Sequence, residues 1–239
     1  MATSGKLTDD LANALDLARQ TIDTSMKALR KAKLITVKGR GTSAAAMTKE
    51  DASTLLIAIG SGASAPHVVR VTQLLKEMAH RNPRVPLQGL EALKNSGHPF
   101  LGLPDRHSFF DGLNALLLAE WTDDPEQEEM GQALFNPLNR PEMLAISIGT
   151  NGKKSEGFGI IRTVSRTGFT IKNFYSSWPL KPEATEADYE LLRAVQSPSN
   201  YFSISHFGGE ILAAIIRSVR EPPKKTRVHP PRVARISRR

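Results

Sequence analysis

Seven cations, Arg19, Lys27, Arg30, Lys31, Lys33, Lys38 and Arg40, face a single carboxylate, Asp23, between residues 19 and 40. Side chains of these types neutralise phosphate, and arginine or glutamine can also hydrogen-bond a flat acceptor edge through two atoms at once. Other stretches offer less. The run GTNGKKS (Gly149 to Ser155) has the glycines and lysines of a phosphate loop but not their spacing, because Ser147 stands where the first glycine is required. Asn151-Gly152 between two strand-like runs reads instead as a hairpin turn. Glu120, Asp123, Asp124, Glu126, Glu128 and Glu129 lack the alternation and fixing glycine of a calcium loop and read as a solvated acidic segment. The six histidines are scattered: His98 and His107 have no partner at metal-ligand spacing, and His206 reads as a structural residue. There is no cysteine and no Gly-x-Ser-x-Gly elbow. No nucleophile can be matched with a base, so the expectation is a protein that is not an enzyme and needs neither cofactor nor metal.

The cations at 19–40 need elements to hold them. Leu7, Leu11 and Leu15 recur every four positions and fall on one face of a helix. Thr8 is expected to cap that helix, with Asp9 and Asp10 in its first turn, where the dipole favours negative charge. Asp16 then breaks the period as a turn residue, and Leu17 is expected to seat the turn on the core. A second helix is predicted from Ala18 to Ala32, with Ile22, Met26 and Leu29 inward and Arg19, Gln20, Asp23, Thr24, Lys27 and Arg30 outward. A strand and a basic, glycine-containing loop follow, through Lys38, Gly39, Arg40 and Gly41.

These residues resemble the helix–turn–helix of winged-helix transcription regulators of bacteria and phages. Leu15-Asp16-Leu17-Ala18-Arg19-Gln20-Thr21-Ile22 is similar to the family's Leu-Gly-Leu-Ser-Arg-x-Thr-Val run. Leu29-Arg30-Lys31-Ala32-Lys33-Leu34-Ile35 is similar to its Leu-Arg-x-x-Gly-Leu-Ile ending, and Thr36 to Gly41 resembles its wing. Asp16 and Lys33 stand where the family has glycine, and Ala18 where it has a capping serine or threonine. The family's first helix has no counterpart before Leu7, and the helix after the wing is expected to take its place. The resemblance covers the first fifth of the chain. It implies a second helix lying in the major groove of double-stranded DNA, with its first turns on base edges.

The charge along the chain agrees with such a partner. The net charge is +8, from 32 basic and 24 acidic residues, and residues 217–239 alone carry +8. Residues 1–47 carry +4 and residues 48–216 carry −4, so both ends are basic and the middle is acidic. No apolar run has membrane-spanning length and the N-terminus lacks the apolar core of a signal peptide, so a cytoplasmic protein without membrane contact is expected.

The rest predicts an α+β fold. Residues 1–80 read as the winged helix–turn–helix domain. Within it, Thr48 starts a helix with Asp51 in capping-box position, Ala52, Leu55, Leu56 and Ile59 form its apolar face, and a further helix spans Pro66 to Ala79. Residues 81–107, rich in proline and glycine, read as a linker that a short helix (87–95) interrupts. Residues 108–221 read as a small antiparallel sheet with helices, serving as a dimerisation or sensor domain. Its helix Ser108 to Trp121 is apolar on most sides and suits a core or a homodimer interface. Strands are predicted at 143–148, 158–164, 169–175 and 201–206, and helices at 185–195 and 210–219. Residues 222–239 read as a mobile basic tail that could add phosphate contacts, and for which the acidic segment at 120–129 could compete with DNA.

The expectation is therefore a sequence-specific DNA-binding protein, a bacterial or phage transcription regulator acting as a dimer. Arg19 and Gln20 would read guanine and adenine edges, Thr24 a base and Lys27 a phosphate. Thr21 and Arg30 complete the helix's set. Lys38 and Arg40 would reach the flanking backbone or minor groove, and Thr8 with the amides beside it a phosphate. Two other readings stay open: an architectural or packaging protein that engages DNA by charge alone, and a protein-interaction module built on the same fold. The effector, if any, is not legible.

Overall fold

The computed structural model describes residues 3–37, 46–81, 99–104, 106–119, 144–151, 156–164, 170–177 and 202–220. The leucine spacing at the start of the chain produces α1 (Ser4–Leu15), which buries Leu7, Thr8, Leu11 and Ala12 along one side. Its cap is Thr3, whose hydroxyl accepts the Lys6 N–H at 3.4 Å. Thr8, expected to be that cap, lies inside the helix, 1% exposed, and its hydroxyl donates to the Ser4 carbonyl at 2.9 Å. Thr8 shares the face of Leu7 and Leu11, so it is withheld from solvent and from any phosphate. Leu17 also departs from expectation. It is 39% exposed, because Asp16 turns the chain through the left-handed region and leaves the leucine outside.

The second helix, α2 (Arg19–Lys31), buries Ile22, Met26 and Leu29 as their spacing requires. Ile35 is buried beyond it, and the Thr36 N–H donates to Asp51 Oδ1 at 2.7 Å. Asp51 belongs to α3 (Lys49–Gly60), whose start carries the capping box read from the sequence: Thr48 Oγ1 accepts the Asp51 N–H, and Asp51 Oδ2 accepts the Thr48 N–H at 2.9 Å. One carboxylate thus closes α3 and pins the segment leaving α2, which is irregular through its described residues, 34–37, where a strand was expected. The expected apolar face of α3 is an underestimate. Nearly every side of it is buried, since α2, α4 (Val68–Lys76), α5 (Phe109–Leu118), α6 (Gly209–Arg220) and the sheet all pack around it.

The predicted helix to Ala79 ends at Lys76, and the chain passes into a short strand, β1 (Ala79–Arg81). It joins β2 (Leu144–Asn151), β3 (Gly157–Val164), β4 (Thr170–Ser176) and β5 (Phe202–Gly208) in an antiparallel sheet ordered β1-β4-β3-β2-β5. The helical layer lies on one face of the sheet, close enough that glycines mark the contacts. A Cβ on Gly60 of α3 would come within 2.7 Å of Ile148 and Phe207, and one on Gly159 within 2.7 Å of the Phe109 ring.

One hydrophobic cluster runs from Leu7, Leu11 and Ile22 through Leu55 and Leu113 to Ile146, Phe207 and Leu212. The expected division into a domain at 1–80 and another at 108–221 therefore meets no break in packing: β1 is an edge strand of the sheet, and α6 packs along α1. Phe109, Leu113, Leu116 and Leu117 of α5 are fully buried within the chain's own core. The exposed apolar surface of that helix, where a dimer contact was expected, is confined among the described residues to Leu118, at 51%, beside the partly buried Phe110. The predicted helices at 87–95 and 185–195, the linker's remaining residues and the basic tail lie outside the described residues. No described helix is long and apolar enough to cross a membrane.

Candidate nucleic-acid interface

The outward side of α2 is a consequence of its amphipathic spacing. With Ile22, Met26 and Leu29 turned inward, Arg19, Gln20, Thr21, Thr24 and Lys27 are all exposed, and Asp23 and Arg30 are half-buried. Among the described residues, the side chains of this side from Arg19 to Lys27 remain open to solvent. The helix starts at Ala18, which offers no side chain to cap it, and its first turn is closed only by the Thr21 N–H on the Ala18 carbonyl at 2.9 Å. Thr24 does not present a free hydroxyl proton, since Oγ1 donates to the Gln20 carbonyl at 2.7 Å.

Both helices of the pair end alike. Asp16 and Lys33 adopt positive φ, 50° and 58°, and are the two described non-glycine residues that do so. After each, an N–H reaches back five residues: Leu17 to the Ala12 carbonyl and Leu34 to the Leu29 carbonyl, both at 3.0 Å. This is the left-handed C-terminal turn that glycine fills most cheaply. Asp16 and Lys33 are also the two positions at which the winged-helix pattern named above has glycine.

Arg19 lies back across α1. Its Nη1 is 3.1 Å from Asp9 Oδ1 and its Nε is 3.8 Å from Asp23 Oδ2. The far end of α2 borders an open cavity of about 660 Å³ lined by Arg30, Lys31, Lys33, Leu34, Ile35 and Glu50, among others. Ala46 forms an isolated antiparallel bridge with Thr3 ahead of α1. Lys38 and Arg40 lie outside the described residues, as does the acidic segment 120–129.

The sequence missed a polar cluster beneath the sheet edge. His107 donates from Nδ1 to the Pro104 carbonyl at 2.7 Å, and its Nε2 is hydrogen-bonded to the Tyr175 hydroxyl at 3.0 Å. His80 stacks on it at 4.2 Å between ring centroids and reaches Asn173 Oδ1 at 3.2 Å. Tyr175 is fully buried, and burial, reinforced by the Asp111 carboxylate, pushes its phenol far above the usual range. No sequence signal could have joined His80 to His107: the Ala79–Ser108 bridge and the His80 N–H on the His107 carbonyl, at 2.9 Å, set them together, and the pairing of β1 with β4 brings Tyr175 opposite His80. Lys76, half-buried, is 3.7 Å above the centroid of the Phe110 ring and donates to Thr54; desolvation holds its ammonium below the ordinary lysine value, with Asp51 opposing. His206 has its partner in Ser147, at 2.8 Å across the β2–β5 pairing. Among the described residues no three His, Asp or Glu side chains are grouped to hold a metal ion. The residues flanking the GTNGKKS turn are paired strands, with the Asn151 N–H on the Glu156 carbonyl at 3.1 Å.

No protein-family model matches the chain, and no curated protein or solved structure is significantly similar to it.

Proposed function

We propose that the chain binds double-stranded DNA in a sequence-specific way through the outward side of α2, as a transcription regulator acting as a dimer. The observation that carries this reading is the exposure of Arg19, Gln20, Thr21, Thr24 and Lys27 on a helix whose other side is sealed by Ile22, Met26 and Leu29. The shared left-handed turns at Asp16 and Lys33 support it, because they give the helix pair the backbone course that the winged-helix pattern demands. In this reading Gln20 and Arg19 meet base edges, Lys27 and Arg30 meet phosphates, and Lys38 and Arg40 reach the flanking backbone. Thr8 is withdrawn from the set.

The test is selection of bound fragments from random DNA by the full chain, followed by affinity measurements on the selected fragment. Arg19→Ala is expected to cost about 1–3 kcal/mol on that fragment and to relax preference at one base pair. Lys27→Ala is expected to weaken all sequences alike. Recovery of no enriched sequence, together with salt-dependent binding, would favour charge-only binding instead; the net +8 charge is the observation behind that second reading.

A further inference from the structure

Arg19 is the first residue of α2 and the one guanidinium among the exposed side chains that head it, yet it does not extend from the helix. Its Nη1 sits against Asp9 of α1 at 3.1 Å, its Nε faces Asp23 one turn along its own helix at 3.8 Å, and its Nη2 lies 3.9 Å from where a Cβ on Gly5 would be. The group therefore rests over the first turns of α1, at ordinary contact distance from Gly5. The three side chains are about half exposed, at 56% for Arg19, 48% for Asp9 and 40% for Asp23. The arrangement is therefore wet enough to open without a large barrier.

We infer that Asp9 and Asp23 are positioning residues that stow Arg19 in the free chain and thereby raise its selectivity for sequence, an inference that rests on the DNA-binding reading. Three effects point the same way. First, a guanidinium paired to carboxylates contributes little to the long-range attraction of phosphate, so the helix loses part of its affinity for DNA of any sequence. Second, leaving the pair costs Arg19 two weak contacts, a cost that the O6/N7 edge of guanine offsets with matched geometry and an isolated phosphate offsets less well. Third, once Arg19 has swung out, the two carboxylates remain near the DNA. They repel a backbone that is not held by compensating contacts, which penalises random sequence more than the preferred one. Asp23 carries the larger share of this last effect, because it lies on α2 itself, between Arg19 and Lys27.

The double substitution Asp9→Asn and Asp23→Asn keeps the shape of both side chains and removes their charge. Competition binding with the full chain, on the selected fragment and on random DNA at two salt concentrations, reads the effect. Exposed ion pairs are worth little individually, so affinity for random DNA is expected to rise about threefold to tenfold. Affinity for the selected fragment is expected to rise less, so the ratio between the two falls. Made on Arg19→Ala, the same substitutions should lower the ratio by less than in the parent chain, because only the repulsion by the two carboxylates is then left to remove. Equal gains on both DNAs, or a ratio that falls just as far without Arg19, would overturn the inference while leaving DNA recognition standing. Failure of the unsubstituted chain to select any DNA would overturn both, and is read from the first arm alone.

Discussion

Two helix starts, thirty residues apart in sequence, are built in opposite ways. α3 begins with a full capping box, and the same Asp51 that completes it also holds the Thr36 N–H at 2.7 Å. α2 begins at Ala18 with no side-chain cap. The first helix is surrounded by the core and the second presents a polar side to solvent, so fastening follows burial. A buried helix end must find partners for its free N–H groups within the protein, whereas an exposed one can leave them to water or to a ligand. The difference teaches that the interior of this fold is held by specific polar locks, and that its candidate binding helix is held chiefly by its apolar underside, with the exposed Arg19–Asp9 pair beside it.

The largest expected effect comes from breaking the lock. Asp51→Ala removes two hydrogen bonds to a buried carboxylate together with the cap, and should lower unfolding free energy by about 3 kcal/mol in denaturant titration. A loss below about 1 kcal/mol would mean the box is incidental and the contrast with α2 empty. Next comes Tyr175→Phe, beside the start of α5, which carries its own capping box from Ser108 and Asp111. Leaving His107 Nε2 without its partner should cost about 1–2 kcal/mol at neutral pH. The same substitution carries a pH signature. Because the folded phenol is held protonated beyond the ordinary tyrosine value of 10.0, the folded chain binds the proton more tightly than the unfolded one. Stability from this group is complete below pH 10 and declines above it, at most by about 1.4 kcal/mol per pH unit. Stability measured from pH 9 to 11 should fall less steeply in Tyr175→Phe than in the parent chain; parallel slopes would count against the buried phenol as the source. The smallest effect sharpens the comparison from the other side. Ala18→Ser gives α2 the cap it lacks and should stabilise the chain by about 1 kcal/mol in the same titration. No gain would show that the start of α2 is already satisfied in another way.

Local patterns made much of this fold legible. The leucines of α1, the inward trio of α2, the Thr48–Asp51 box and the three central strands all follow from spacing within a dozen residues. The candidate interface was legible for the same reason, because which side of α2 faces out is decided by Ile22, Met26 and Leu29. Thr8 was misread as a cap because threonine followed by two acids is a good helix start on its own; Thr3 wins because the chain before α1 is pinned by its bridge to Ala46. Leu17 was misread because hydrophobicity says nothing of a left-handed turn one residue earlier. β1 could not be seen at all: Ala79-His80-Arg81 has no strand pattern and exists through pairing with β4. The pairing of Arg19 with Asp9 needed the angle between two helices, which only the packed core supplies.

The packing of α6 along α1 joins residues almost two hundred positions apart. During synthesis the helix pair near the beginning emerges early, yet the surface that seals Leu7 and Leu11 is completed only after α6 has left the ribosome. Contacts of such separation form late and make folding slow. A truncated product from an interrupted message would therefore expose the underside of that pair, and the cell would meet it as a target for chaperones and proteases instead of as a stray competitor for the same ligand.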